Sequence, residues 1–239
     1  MSAELFGFCI DTLKFEDALK KAELLINTNV VSQVVTINPE MFSDAGINND
    51  FADILRNAGM VIPDGIGVKI ALKINGIESE RIPGIDFAKK LLELSAENNW
   101  SVAIVGAKED IIQKAVENIK NDIPELNITY DHNGYFDEDN AIYQDLIEKN
   151  PNLILVAMGS PRQEFFINNA KKVLNRGLMV GIGGSLDVWS GNVKRAPIFF
   201  QKTGLEWLYR TISQPERFKR IFPALPMFIL KSIKYKFLK

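Results

Sequence analysis

Asp64 stands in Ile-Pro-Asp-Gly-Ile-Gly, where the proline fixes the approach and two glycines permit a tight loop after an apolar stretch. A carboxylate held there and shielded from part of its water has a raised pKa and can take a proton from a hydroxyl. The same letters also spell an ordinary Pro-Asp-Gly turn, and spacing alone does not choose between the two. Thr36 and Asn38 end the β-branched run VVSQVVTI and its successor, where they can hydrogen-bond a sugar or cap the strand. Gly159, Arg162 and Gln163 belong to a strand-to-helix turn, GSPRQE, whose free backbone N–H groups favour an anion. The alternative there is a capped helix with a solvated polar first turn. Gly184 lies in the run GIGG, whose glycines let backbone come close to a ligand. Gly106 opens another such turn, GAKED. It lacks the Gly-x-Gly-x-x-Gly of a dinucleotide site and the Gly-Lys-Ser/Thr of a P-loop, so neither NAD nor ATP hydrolysis finds support.

Farther along, Arg210, Arg217 and Arg220 are spaced seven and three apart. On one helix these spacings put three guanidinium groups on one face, fit to hold a diphosphate. Asp137 and Asp139 form an Asp-x-Asp pair, but they stand just before a predicted helix, where acidic residues stabilise the amino end. His132 is the single histidine and Cys9 the single cysteine. A multi-histidine metal centre is therefore excluded, and neither a metal site nor a cofactor is expected. Cys9 has no partner for an internal disulfide, fits a reducing compartment, and is expected to be a small buried hydrophobe.

These residues need a frame, and the apolar pattern supplies one. Phe15, Ala18, Leu19, Ala22, Leu25 and Ile26 recur at helical spacing, and a strand follows over 30–37. A helix covers much of 48–58, then the loop MVIPDGIGV; Phe87, Leu91 and Leu94 mark a further helix. From Ser101 the order becomes strand, glycine loop, helix, and it recurs through NLILVAMGSPRQEFFINNAKKVL, with Phe166, Ala170 and Val173 facing inward. Strands alternating with helices of this length predict an α/β, Rossmann-like parallel sheet covered on both faces. Ligands of such sheets sit beyond the carboxyl ends of the strands.

The 239 residues carry a formal net charge of −2, which hides an asymmetry. Residues 202–239 hold nine Lys or Arg against two acidic residues, whereas 1–201 hold nineteen against twenty-eight. We expect residues 1–195 to form the α/β core and 196–239 a helical, basic C-terminal appendage. Its last stretch, PALPMFILKSIKYKFLK, pairs Phe228, Ile229, Ile233 and Phe237 with Lys231, Lys234, Lys236 and Lys239. That is too short and too charged to span a bilayer, yet suited to lie among lipid headgroups. A nucleic-acid or partner-docking tail is the competing reading, with Trp207, Tyr209, Phe218 and Phe222 among the basic residues. The adjoining apolar run favours lipid over nucleic acid. With no signal-like start and no run of eighteen apolar residues, the expected location is cytoplasmic, peripheral at the inner face of the membrane. A homo-oligomer is compatible with this pattern, without an assignable interface.

Taken in order, TINPEMF, IPDGIGV, RIPGIDF, GSPRQEFFI, GIGGSLDVWSGNVKRAP and GLEWLYRTISQPERFKR resemble the WecG/TagA/CpsF glycosyltransferases, glycosyltransferase family 26. The resemblance spans residues 36–220. It implies an inverting, metal-independent enzyme that moves N-acetylmannosamine from UDP to N-acetylglucosamine on undecaprenyl diphosphate, in a β1,4 linkage, for the linkage unit of wall teichoic acid. A uronic acid or other UDP-sugar, for a capsule or surface polysaccharide, stays open. By the same resemblance Asp64 is the base, Thr36, Asn38 and Gln163 lie near the sugar, and Asp187 with Tyr135 lies at the nucleotide. Arg210, Arg217 and Arg220 fall on an appendage that completes the site at the membrane. One departure is the turn Pro-Arg-Gln-Glu, where Pro-Lys-Gln-Glu is commoner; the charge is kept and the donor geometry changes.

Overall fold

The computed structural model describes residues 2–213 and 218–238, without the side chains of 210, 213 and 218–224. A hairpin comes first, with strands β1 (Ser2–Leu5) and β2 (Phe8–Asp11) joined by Phe6 and Gly7. Both turn residues have positive φ, 54° and 77°, which matches the twist of a two-residue hairpin. Along β2 the side chains alternate, so Phe8 and Ile10 face inward and Cys9 outward. The expectation of a buried Cys9 is thereby corrected: the thiol is exposed.

Helix α1 (Phe15–Ile26) leads to β3 (Val31–Ile37), and α2 (Pro39–Ala45) begins at once. Asn38 ends the strand and caps that helix, its Oδ1 accepting from the N–H groups of Glu40 and Met41 at 3.0 and 3.1 Å. Proline at the first helical position fits the same start. Next come α3 (Asn49–Arg56), β4 (Met60–Pro63) and α4 (Ile66–Ile74). The stretch predicted as a loop, MVIPDGIGV, is thus a strand and a helix start, with only Asp64 and Gly65 between them. Helix α5 (Gly84–Glu97), β5 (Val102–Gly106), α6 (Glu109–Asp122) and β6 (Ile128–His132) follow. After α7 (Asp139–Lys149), β7 (Leu153–Ala157), α8 (Arg162–Ala170) and β8 (Gly177–Gly181) complete the sheet. Val173 lies beyond α8 and is exposed, against the inward orientation predicted for it.

The six long-range strands are parallel and ordered β4-β3-β8-β7-β5-β6. Every residue of the inner strands β5, β7 and β8 is buried, which is why their sequences read as apolar runs rather than alternations. One face packs on α1, α5 and α6 through Leu19, Phe87, Leu91 and Ile112. The other face carries α2, α3, α4, α7 and α8.

The chain ends in α9 (Ser185–Trp189), α10 (Ile198–Thr203), α11 (Glu206–Ser213) and α12 (Phe218–Leu238). Helix α12 packs along α4 and α2. Phe228 is 4% exposed and joins the core cluster of the hairpin, its ring 5.5 Å from Phe6 and 5.0 Å from Phe42. Tyr235 donates its hydroxyl to Glu4 at 3.1 Å. A glycine admits this docking: a Cβ on Gly67 of α4 would stand 2.6 Å from Leu225 Cδ1 and 2.7 Å from Pro39 Cγ. The outer side of α12 keeps Met227, Leu230, Ile233, Phe237 and Leu238 exposed, interleaved with Lys231, Lys234 and Lys236. No helix among the described residues is long and apolar enough to cross a membrane.

Candidate active site

All the loops that leave the carboxyl ends of the strands open on one edge of the sheet, and the candidate residues fall along it. Starting from β4, the edge presents Asp64, then Thr36 and Asn38 at the end of β3, the Ile182–Gly184 turn after β8, and Gly159 to Gln163 after β7. Gly106 at the end of β5 and Tyr135 after β6 finish the row. Five inter-strand steps of about 4.8 Å make the edge roughly 24 Å long.

The β4 end encloses a cavity of about 320 Å³. Thr36, Asn38, Asp64, Gly159, Gln163 and Gly184, all predicted from the sequence, line it. Asp64 is fixed from several sides. Its N–H donates to Ile37 O at 2.9 Å, and the Gly84 N–H at the start of α5 donates to its Oδ2 at 3.3 Å. Ile82 N–H donates to Pro63 O at 3.0 Å, which holds the incoming segment against the strand that presents the acid. Burial is the main influence on the Asp64 carboxyl and lifts its pKa from 3.8 to about 6. The Gly84 N–H and the Arg81 guanidinium pull it down, and the Glu206 carboxylate pushes it up. Gln163 is buried and oriented by two partners: it accepts from Gly183 N–H at 3.0 Å and donates to Glu164 Oε1 at 2.8 Å. The Thr36 hydroxyl reaches Gly181 O at 3.5 Å.

Among the other lining residues, Arg81, Glu40, Glu206 and Leu225 were not singled out from the sequence, and Trp207 entered there only as an aromatic of the competing docking tail. Arg81 belongs to RIPGID and its Nη2 donates to Gln201 O at 2.7 Å, which ties the α5 approach to α10. Glu206 and Trp207, on α11, and Leu225, on α12, bring the C-terminal segment over the cavity. Only the tail's docking, invisible in local spacing, puts them there. The Trp207 indole Nε1 is buried and has no hydrogen-bond partner.

Gly106, Tyr135, Arg162 and Asp187 stand outside this cavity. Gly106 has φ +140°, and a Cβ there would come within 2.4 Å of the Ala157 backbone, so glycine is what lets β5 and β7 run this close. The connections from β5 and β7 leave in opposite directions, toward β6 and β8, and make a topological switch point at Gly106. Tyr135 is 69% exposed, and its N–H donates to Asn133 Oδ1 at 2.8 Å. Arg162 is exposed at the start of α8, its guanidinium 5.4 Å from the Phe136 ring centre. Asp187 lies in the first turn of α9, which Gly184 precedes; its backbone O accepts from Val193 N–H at 2.9 Å. Asp139 begins α7 and accepts the Tyr143 hydroxyl at 3.1 Å, in keeping with a helix-end role. Among the described residues no three His, Cys, Asp or Glu side chains come together as a metal cluster.

Arg210 lies on α11 and Arg220 on α12, so the two fall on separate helices. Their side chains, and Arg217 altogether, lie outside the described residues.

The model of the "Glycosyl transferase WecG/TagA/CpsF family" matches residues 3–239. A Bacillus subtilis (strain 168) protein named N-acetylglucosaminyldiphosphoundecaprenol N-acetyl-beta-D-mannosaminyltransferase is 35% identical over 225 residues, 93% of this chain and 87% of that protein. Proteins of the same name from Bacillus spizizenii and Staphylococcus aureus (strain MW2) are 34% and 31% identical over 88% and 85% of this chain. They are themselves covered to 82% and 80% of their lengths. With a parallel α/β sheet, a half-buried acid at its edge and this match over nearly its whole length, the chain belongs to the WecG/TagA/CpsF family of glycosyl transferases.

Proposed function

We propose that the protein transfers N-acetylmannosamine from UDP to N-acetylglucosamine on undecaprenyl diphosphate, in a single displacement with Asp64 as the base. The observation that carries this reading is the Asp64 carboxyl, fixed by the Gly84 N–H in the cavity and held half-ionised near pH 6. The relatives' printed activity supplies the substrates. Asp64 takes the proton from the acceptor 4-hydroxyl as that oxygen attacks the anomeric carbon. The bond to UDP breaks, its electron pair leaves on the diphosphate, and an α-linked donor becomes a β-linked product.

Thr36, Asn38 and Gln163 then face the sugar. Asn38 has already committed Oδ1 to capping α2, which leaves its amide N–H groups as donors. The nucleotide lies along the β7–β5–β6 side, against the turns of Gly159 and Gly106, with Tyr135 and Asp187 at the base and ribose. Charge arriving on the diphosphate is met by the N-terminus of α8, by Arg162 and by the C-terminal arginines Arg210, Arg217 and Arg220. In this scheme fixed donors carry out the stabilisation, so turnover persists in chelator.

The lipid acceptor implies work at a membrane surface. Leu230, Ile233, Phe237 and Leu238 with Lys231, Lys234 and Lys236 form a face suited to an anionic headgroup layer. The test is incubation with a short-chain lipid diphosphate GlcNAc acceptor and a panel of UDP-sugars, with and without EDTA. The expected product is a β-linked ManNAc disaccharide of matching mass in both conditions; transfer of another sugar alone overturns the donor assignment.

A further inference from the structure

Arg195 lies between the body and the C-terminal roof. Its Nη1 meets Asp86 Oδ1 at 2.6 Å and its Nη2 meets Asp86 Oδ2 at 2.7 Å, a two-pronged contact with the first turn of α5. On the opposite side its Nε faces Glu206 Oε1 of α11 at 3.7 Å, close enough for attraction but too long for a hydrogen bond. The same turn of α5 starts with Gly84, whose N–H holds Asp64 Oδ2. One guanidinium therefore connects the helix that fixes the acid to the helix that roofs it, and Glu206 itself lines the cavity with Asp64.

We infer that Arg195 is a positioning residue for transfer, clamping α11 onto α5 so that the roof closes over Asp64 in register with the Gly84 N–H. The inference rests on Asp64 being the base and adds how the roof is held. Charge complementarity supports it, since Arg195 is only partly exposed and sits between two carboxylates. Three charged groups besides Asp64 border the cavity: Arg81 before α5, Glu40 on α2 and Glu206 on α11. Removing the Glu206 charge should therefore move the Asp64 titration downward, since beside burial that carboxylate is the charge raising it.

The experiment compares wild type, Arg195→Met, Arg195→Lys and Glu206→Gln in steady-state transfer across pH, alongside hydrogen exchange of residues 198–213. For Arg195→Met we expect kcat to fall at least thirtyfold while the UDP-sugar KM stays within threefold. Exchange in 198–213 should quicken at least tenfold, and Arg195→Lys should recover part of both. Glu206→Gln should shift the acid limb of kcat/KM to lower pH. Wild-type kcat and unchanged exchange in Arg195→Met overturn the clamp. If wild type transfers no ManNAc, the proposed reaction fails, yet the exchange comparison still decides the clamp. Should Arg195→Met fold poorly, Asp86→Asn breaks the same link from the α5 side, with the same two readouts deciding.

Discussion

At the β4–β3–β8 side of the sheet edge, Asp64, Thr36 and Gln163 lie in a cavity roofed by Glu206, Trp207 and Leu225; at the β5–β6 side, Tyr135 is 69% exposed beside the Gly106 turn. The first region is built to change a pKa. Burial does so by displacing the water that would stabilise the carboxylate, and the Gly84 N–H, Arg81 and the Gly65 N–H partly offset it. The second region is open, with glycine where two strands nearly touch and an exposed aromatic ring that the proposed scheme sets against the base. In the proposed scheme the contrast separates bond-making from nucleotide-holding, and Glu206, Trp207 and Leu225 put the C-terminal helices on the side of the acid.

The largest expected effect breaks that link. Phe228→Ala removes the ring that anchors α12 between Phe6 and Phe42, at a cost of about 3–5 kcal/mol in stability. Denaturant unfolding checks it, and transfer should fall more than donor affinity, since Leu225 is displaced with the helix. Cutting away 196–239 is a blunter version that also strips a core cluster of Phe228, so point substitutions separate roof from fold more cleanly.

A smaller effect is expected at the opposite end. Tyr135→Ala should raise the UDP-sugar KM about tenfold, the loss of one stacking contact, with kcat within a few-fold. An equal fall in kcat would erase the distinction between the two regions. Smaller still on soluble substrate is the pair Leu230→Glu and Phe237→Glu, on the exposed side of α12. Flotation with anionic liposomes should weaken severalfold, while turnover on a short-chain acceptor stays near wild type.

Where the fold was readable, a local pattern carried it. The inner strands β5, β7 and β8 appear as apolar runs followed by glycine turns because both their faces are covered. The hairpin leaves only a short signal, Leu5, Phe8 and Ile10 alternating around Phe6-Gly7, and α2 starts at Asn38-Pro39, letters that suit a strand end as well as a helix start. Helix α4 lay hidden because IGVKIALKI is apolar on most sides, as suits a helix pressed between the sheet and α12. In the site, Asp64, Thr36, Asn38 and Gln163 were legible because each lies at the end of a strand or in the turn and helix start that follow one. Glu206 and Arg81 were not, since their place depends on contacts with residues far away in sequence. Basic and apolar spacing in α12 by itself suggests one membrane-facing pattern. The structure divides it, turning Phe228 and Ser232 inward and Leu230, Phe237 and the lysines outward.

The most direct measurement is the pH dependence of transfer set beside an Asp64→Asn variant with UDP binding followed by calorimetry. A protonated Asp64 cannot accept the hydroxyl proton, so kcat/KM should fall as the pH drops through about 6 and level off above it. Asp64→Asn should lose about 10²–10⁴ in kcat with UDP affinity unchanged. A variant that turns over at near wild-type rate, with the same acid limb, would contradict the account.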